Sequence, residues 1–378
     1  MNRDVVTLTE TLVESDSAPG CSTDPVAGLV AEALTLVGAH VTLQRGLYEG
    51  VSQRNVVARF GGDASAGLIL AGHLDTVPWA EGTKATTSPL REGTVLYGRG
   101  TCDMKGAVAA QIEAAASMAD KLARPLVLVY TYAEEVGCHG AVDLVADASL
   151  LGDVQEACCI VGEPTDMTPI TGHKGYGTAT IQFKGCAAHS SDPWAGADAS
   201  QVLGVFLDRI HRLREDLQEE GKDSGHQPPG TTFNTGLIRA GTAANVIPEK
   251  AELILEVRRL PETSVEEIRK RVEACLKEAC ESVKGVEGHI FWHEEQPPFA
   301  QPEGNRLVEW LTKKTGQKTG RVPFYTEAEI YRTGFVVPTV VCGPGSIAKA
   351  HREDESVTFE ELEGGVALYA EAIAAFCG

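Results

Sequence analysis

The sequence predicts an α/β protein: a mixed, mostly parallel sheet flanked by helices, interrupted by an inserted ferredoxin-like α+β domain. Three observations lead there. Up to about residue 175, short β-rich runs alternate with helical segments, the pattern of βαβ units. Near residue 176 the order changes to β-α-β-β-α-β, a ferredoxin-like signature. After Phe299 the βα alternation resumes. At 378 residues the chain is long for one core, and two domains accommodate it. The expected division is 1–176 with 296–378 for the larger domain and 177–295 for the insert.

In the larger domain a helix is expected over 25–37, with Asp24 as N-cap, Pro25 at the first helical position and Gly38 just past the end. RNVVARF (54–60), GLIL (67–70), LVLVYTY (126–132) and ACCIVG (157–162) read as core strands. Between them 103–121 reads as a helix, because Ala107, Ala110, Ile112, Ala115 and Met118 recur at helical spacing. The insert opens on TATIQFKG (178–185), a period-two strand, and continues with a helix over about 199–217. A loop of turn residues, GHQPPGTT (225–232), precedes two strands, 232–241 and 250–260. A helix over 265–283 and the strand GHIFWHEE (288–295) complete it. PTVVCGPG (338–345) is then a core strand and 359–376 the closing helix.

Composition removes several classes of function. With 43% apolar and 23% charged residues, the chain is that of an ordinary soluble globular protein. A net charge of −20 argues against nucleic acid or an anionic membrane as partner and mildly favours cationic or neutral small molecules. The N-terminal stretch has no apolar core of signal-peptide length, and apolar runs such as PLVLVY (125–130) fall far short of a membrane span. Ten cysteines include no Cys-x-x-Cys pair, so reduced thiols and a cytoplasmic location are expected.

Seven residues carry the chemistry. They are His73 and Asp75 in GHLDTVP, Asp103 in GRGTCDMKGA, Glu134 and Glu135 in TYAEEVG, Glu163 in VGEPT, and His351 in GPGSIAKAH. Each lies at or near the point where an apolar run ends, and open α/β sheets bind ligands at the carboxyl ends of their strands. Imidazoles and carboxylates without a thiolate suit one or two divalent metals. Two positions apart at a strand end, His73 fits a ligand and Asp75 the carboxylate that orients its ring. The plainer alternative is a turn-capping Asp beside a core His. Asp103, at a Gly-rich turn opening a helix, has an N-cap as its alternative. Glu134 and Glu135, adjacent at a strand end, are expected to point in opposite directions, so at least one faces inward and needs a partner. One then ligates while the other serves as general base. The residues read as a metal-dependent hydrolase.

With these motifs the chain resembles, over essentially its full length, the dinuclear zinc amidohydrolases. That family includes acetylornithine deacetylase, succinyl-diaminopimelate desuccinylase, aminoacylase and glutamate carboxypeptidase. The resemblance implies that His73 and Glu163 bind one zinc, Glu135 and His351 the other, and Asp103 bridges them. Asp75 then supports His73, Glu134 is the general base, and the Asp103–Met104 bond is cis. Cobalt or manganese can replace zinc in such sites. Cys102 and Cys138 are set aside as ligands because neither has a spacing that suits zinc, and His139 and His173 because the set is already complete for two zincs.

YTEAEIY (325–331) and CGPGSIAKAHREDE (342–355) resemble the acetylornithine deacetylase branch, which implies substrate contacts at Thr326, Glu327 and Gly345. In the insert, His189 of GCAAHSSDPWAGADA resembles a residue aimed at the scissile carbonyl, placed to stabilise the oxyanion. Asn245 and Arg258 resemble holders of the substrate α-carboxylate, which a guanidinium fork fits. A turn-capping His189, or an Arg258 paired on the strand face with Glu256, is the alternative. Relatives often carry Asp where Glu256 stands. The reaction implied is amide hydrolysis of an N-acyl amino acid, foremost N-acetyl-L-ornithine to L-ornithine and acetate in arginine biosynthesis. The alternatives are deacylation of N-acetylcitrulline or succinyl-diaminopimelate, dipeptidase or carboxypeptidase action, and, against the intact Glu134, a non-catalytic binding protein on the same fold. Glu327 or Glu329 would suit an ornithine ammonium unless they face solvent. A homodimer through the insert is implied as well, with His189 serving the partner's site. The strands at 232–260 offer the edge that a second insert would cover.

Overall fold

Apolar runs bounded by turn residues become the strands of the central sheet. The computed structural model describes residues 4–378 and divides into two compact units. The first holds the chain up to Thr171, Gln301–Gly320 and Thr326–Gly378; the second holds Gly172–Ala300 and Arg321–Tyr325. In the first unit the sheet runs His40–Tyr48, Val51–Phe60, Leu126–Thr131, Leu68–His73, Cys158–Pro164, Thr339–Gly343. The last four are parallel and the first two antiparallel. Every residue of Leu126–Thr131, Leu68–His73 and Cys158–Pro164 is buried, as expected of parallel strands covered on both faces. Leu12, Val108, Ile112, Leu362, Tyr369 and Ile373 from the helices join Leu70, Leu128 and Ile160 from the sheet in one apolar core.

The helix at Asp24–Leu36 begins one residue earlier than expected, with Thr23 in the cap position and Pro25 in the first turn. Two elements lack a strong sequence signal. Val5–Val13 is a helix whose first turn is closed by the Asp4 side chain accepting from the Thr7 N–H. His40–Tyr48 pairs with Val51–Phe60 through the two-residue turn Glu49–Gly50, both at positive φ (47° and 81°), as a type I′ hairpin requires.

The second unit contains Tyr176–Lys184, Ala199–Glu220, Thr232–Ala240, Lys250–Arg258, Val265–Ser282 and Glu287–Gln296, which is the β-α-β-β-α-β order. Its sheet is antiparallel throughout, ordered Thr232–Ala240, Lys250–Arg258, Tyr176–Lys184, Glu287–Gln296. Phe206, Ile210 and Val272 of the helices bury against Phe183, Leu253 and Leu255 of the strands. Asp198 and Ser264 cap the two helices. Thr232–Ala240 is left at an edge with Leu237 and Ile238 exposed. Among the described residues, no helix is long and apolar enough to cross a membrane.

Candidate metal centre

Parallel strands deliver their carboxyl ends to one rim of the sheet, and five of the seven residues arrive that way. His73 closes Leu68–His73 and faces Thr131 across the ladder, so Leu74–Asp75 and Ala133–Glu135 leave the sheet side by side. Glu163 is the sixth residue of Cys158–Pro164. Asp103 precedes the Lys105–Met118 helix on a turn so tight that a Cβ at Gly106 would lie 2.3 Å from the Thr101 carbonyl oxygen. The Asp103–Met104 peptide is cis. His351 stands on the loop after Thr339–Gly343, in the left-handed region at φ 61°.

These side chains converge. His73 Nε2 lies 3.1 Å from Asp103 Oδ1 and 3.7 Å from Glu163 Oε1. His351 Nε2 lies 3.2 Å from Asp103 Oδ2 and 3.2 Å from Glu135 Oε1. The two oxygens of Asp103 are thus divided between two imidazoles. His73 Nδ1 faces the backbone carbonyl of Asp75 at 2.9 Å. A carbonyl only accepts, so Nδ1 carries the proton and Nε2 presents its lone pair to the carboxylates. That contact needs a proton or a cation between the partners. Donor atoms of His73, Asp103 and Glu135, and of His73, Glu134 and Glu163, lie within 4.8 Å of one another. A buried nitrogen and oxygen donor set of this kind fits divalent cations such as zinc, cobalt or manganese.

Two expectations change. Glu134 and Glu135 do not point in opposite directions, because the strand ends at Thr131 and Ala133 turns left-handed (φ 53°), which breaks the alternation. Their N–H groups instead donate to Asp75 Oδ1 and Oδ2, both at 3.0 Å. The Asp75 carboxylate therefore clamps the glutamate turn, standing 3.6 Å from His73 Nδ1, while its main chain orients the ring.

One neighbour escaped the sequence reading, and two that it named make specific contacts. Glu355, fully buried, pairs with Arg99 at 2.5 Å and accepts the N–H groups of Gly100, Cys102 and Asp103, each at 3.0 Å. Its only sequence signal is its place in the HREDE run. Cys138, set aside as a ligand, brings its sulfur within 3.5 Å of Glu134 Oε1. Glu327 does not face solvent: it is buried and accepts from Thr131 Oγ1 and from the Tyr331 hydroxyl (2.9 Å). Glu329 is buried as well and pairs with Arg332 at 2.7 Å. The Thr326 hydroxyl accepts the Ala328 N–H, and Gly345 (φ 81°) sits against Cys102, beside the Asp103 turn. His139 stacks near Tyr48, and His173 is buried between Phe299 and Tyr325.

In the second unit, the exposed His189 receives the Ser191 N–H on Nδ1 at 3.1 Å. An amide N–H only donates, so in the neutral ring the proton sits on Nε2, pointing a donor outward. Ser190 N–H donates to the Asn245 carbonyl, joining the two loops. Arg258 is braced by Glu256 at 2.7 Å and lies over the Tyr176 ring at 4.5 Å.

Burial pushes the carboxyls of Glu134, Glu135 and Glu163 up, and their like charges add to this. Burial acts the same way on Asp103, but hydrogen bonds from His351 and His73 outweigh it and hold that carboxyl well below the usual range. His73 would be lowered by burial, yet Glu163, Asp103 and Asp75 carry it well above its ordinary value. Hydrogen bonds to Asp103 and Glu135 raise His351 to about 10. Burial also pushes Glu327 up, to about 7. Near neutral pH the cluster therefore retains protons that a cation must displace, and cation affinity rises with pH.

Residues 69–375 match the model of peptidase family M20/M25/M40. Acetylornithine deacetylase of Myxococcus xanthus is 36% identical over 98% of this chain and 97% of that protein. Its counterpart in Pectobacterium carotovorum is 33% identical over 98% and 95%. Among solved structures, a tripeptidase from Staphylococcus aureus superposes with a TM-score of 0.79 at 20% identity, covering 98% of both chains. A Bacillus subtilis protein described as a dinuclear metal binding peptidase of the M20 family gives 0.72 at 15% identity, covering 98% and 97%. Likeness at that identity speaks for the fold. Together with relatives above 30% identity along nearly its whole length, the family match shows that this chain belongs to peptidase family M20/M25/M40 and is a hydrolase.

Proposed function

We propose that the chain hydrolyses the amide bond of an N-acyl amino acid, with N-acetyl-L-ornithine as leading substrate, and that it uses two divalent cations, zinc foremost. The observation that carries this reading is the division of Asp103: one oxygen faces His73, the other His351. His73 and Glu163 would hold one cation, Glu135 and His351 the second, with Asp103 shared. The name carried by relatives at 33–36% identity supports the substrate. Bound cations would polarise the amide carbonyl and lower the proton affinity of water. Glu134, held on its turn by Asp75, takes the proton of the attacking water and returns it to the leaving amine. The Nε2–H of His189 donates to the oxyanion that develops on the carbonyl. Arg258, kept in one orientation by Glu256 and Tyr176, grips the α-carboxylate as a fork, with Asn245 beside it. A panel of N-acetyl amino acids and dipeptides, assayed with added zinc or cobalt, tests the substrate. N-acetyl-L-ornithine should give the highest kcat/KM; preference for a dipeptide or for N-acetylcitrulline rejects it.

The proposal includes a homodimer through the second unit, with His189 acting on the partner's site. The edge strand Thr232–Ala240, with Leu237 and Ile238 exposed, supports it as a surface in need of cover. Inactive His189→Ala and Glu134→Ala chains, mixed and allowed to exchange, should recover activity, since one site of the heterodimer then has both groups. No recovery despite demonstrated exchange places His189 in its own chain's site or outside the reaction.

A further inference from the structure

We propose that Trp194 is a substrate-contacting residue: its indole covers the N-acyl amino acid in whichever site His189 serves and sets affinity for it. This rests on the function proposed above. Trp194 is 90% exposed, more than any other exposed large apolar side chain among the described residues. An indole is among the side chains that gain most from burial, roughly 150–250 Å² of contact, so its display to water calls for a reason.

The turn that carries it is not loose. Cys186 and Ala197 exchange both backbone hydrogen bonds at 2.9 Å, closing the base of the loop. Ile247 N–H donates to the Ala188 carbonyl at 2.8 Å and Ser190 N–H to the Asn245 carbonyl at 3.1 Å. At the tip, Asp192 N–H donates to the His189 carbonyl (3.0 Å) and Ala195 N–H to the Asp192 carbonyl (3.2 Å). The N–H of Trp194 itself donates to Asp192 Oδ1 at 3.3 Å. A Cβ on Gly196 would lie 2.7 Å from the Cys186 carbonyl oxygen, so the return of the loop is packed against its start. Pro193 fixes the backbone just before the indole. A hydrogen-bonded frame thus carries the exposed His189 and the exposed Trp194 on one turn, and on the reading proposed above the ligand that His189 meets is the one offered to the indole.

Size and chemistry narrow what that is. Along the loop Ser190, Ser191, Asp192 and Ala195 precede and follow Trp194, all small or polar, so the loop offers one large apolar ring rather than a run of them. One ring face suits an aliphatic side chain of a few methylenes, and its negative π surface attracts a terminal ammonium. The ligand class is an N-acyl amino acid with a cationic aliphatic side chain.

The test uses the metal-loaded full-length enzyme and the N-acetyl amino acid that it turns over best. Because the side chain is exposed, Trp194→Ala should fold normally, with KM raised about tenfold and kcat within about twofold of wild type. Trp194→Phe should restore most of the affinity. Substrate added to Glu134→Gln should shift tryptophan emission to the blue, and the shift should vanish in Glu134→Gln with Trp194→Phe. An unchanged KM for Trp194→Ala, or a dimer lost on a sizing column with KM recovered at higher protein concentration, overturns the inference while the function stands. A wild-type enzyme inactive on every N-acyl amino acid overturns both.

Discussion

Glu134→Gln lowers turnover by roughly 10²–10⁴-fold, the usual worth of a general base, while metal content stays at the wild-type level. Gln keeps the size and hydrogen-bonding shape of the side chain but cannot take a proton. Neither imidazole approaches Glu134 as closely as it does Asp103; its N–H donates to Asp75 and its Oε1 meets the Cys138 thiol. Glu135 differs by one position and by role, since its Oε1 meets His351 at 3.2 Å. Glu135→Ala should therefore lose metal first and activity as a consequence. A Glu134 oxygen does lie within 4.8 Å of donor atoms of His73 and Glu163, so the comparison has force. If metal content falls in the Glu134 variant and holds in the Glu135 variant, the two roles are exchanged.

Glu355→Ala should cost about 3–5 kcal/mol of folding stability, the usual loss when one partner of a buried ion pair is removed. Arg99 is left buried without its carboxylate, and the N–H groups of Gly100, Cys102 and Asp103 lose their shared acceptor. Since Asp103 is one of those three, the damage reaches the centre of the metal cluster as well as the fold. Urea unfolding of metal-free wild type and variant, at equal slope, reads the stability term without the contribution of bound metal. A difference below about 1 kcal/mol, the size of an ordinary substitution, contradicts the structural role assigned to Glu355.

The core of the fold is legible because its strands are buried on both faces and so read as unbroken apolar runs: Leu68–His73, Leu126–Thr131 and Cys158–Pro164. His40–Tyr48 escapes the same reading. None of its residues is fully buried, its sequence HVTLQRGLY mixes polar and apolar side chains, and its place comes from pairing with Val51–Phe60. The return of Arg321–Tyr325 to the second unit is equally silent, because so short a segment carries no periodicity. At the site, strand ends announce His73, Glu163 and the glutamate pair. What stays hidden is the work done by backbone. Asp75 clamps two N–H groups only because Ala133 turns left-handed, and Glu355 receives three N–H groups from a turn some 250 positions away. Acceptance from main-chain amides leaves no residue-type spacing to read.

Zinc titration of the metal-free protein, followed by calorimetry at about pH 8 and about pH 6, bears most directly on the shared-carboxylate centre. Two equivalents per chain are expected, bound more weakly at the lower pH, where His73, His351 and the raised carboxyls of Glu135 and Glu163 hold their protons more firmly. A single equivalent, or none, at both pH values contradicts a centre in which Asp103 serves two cations.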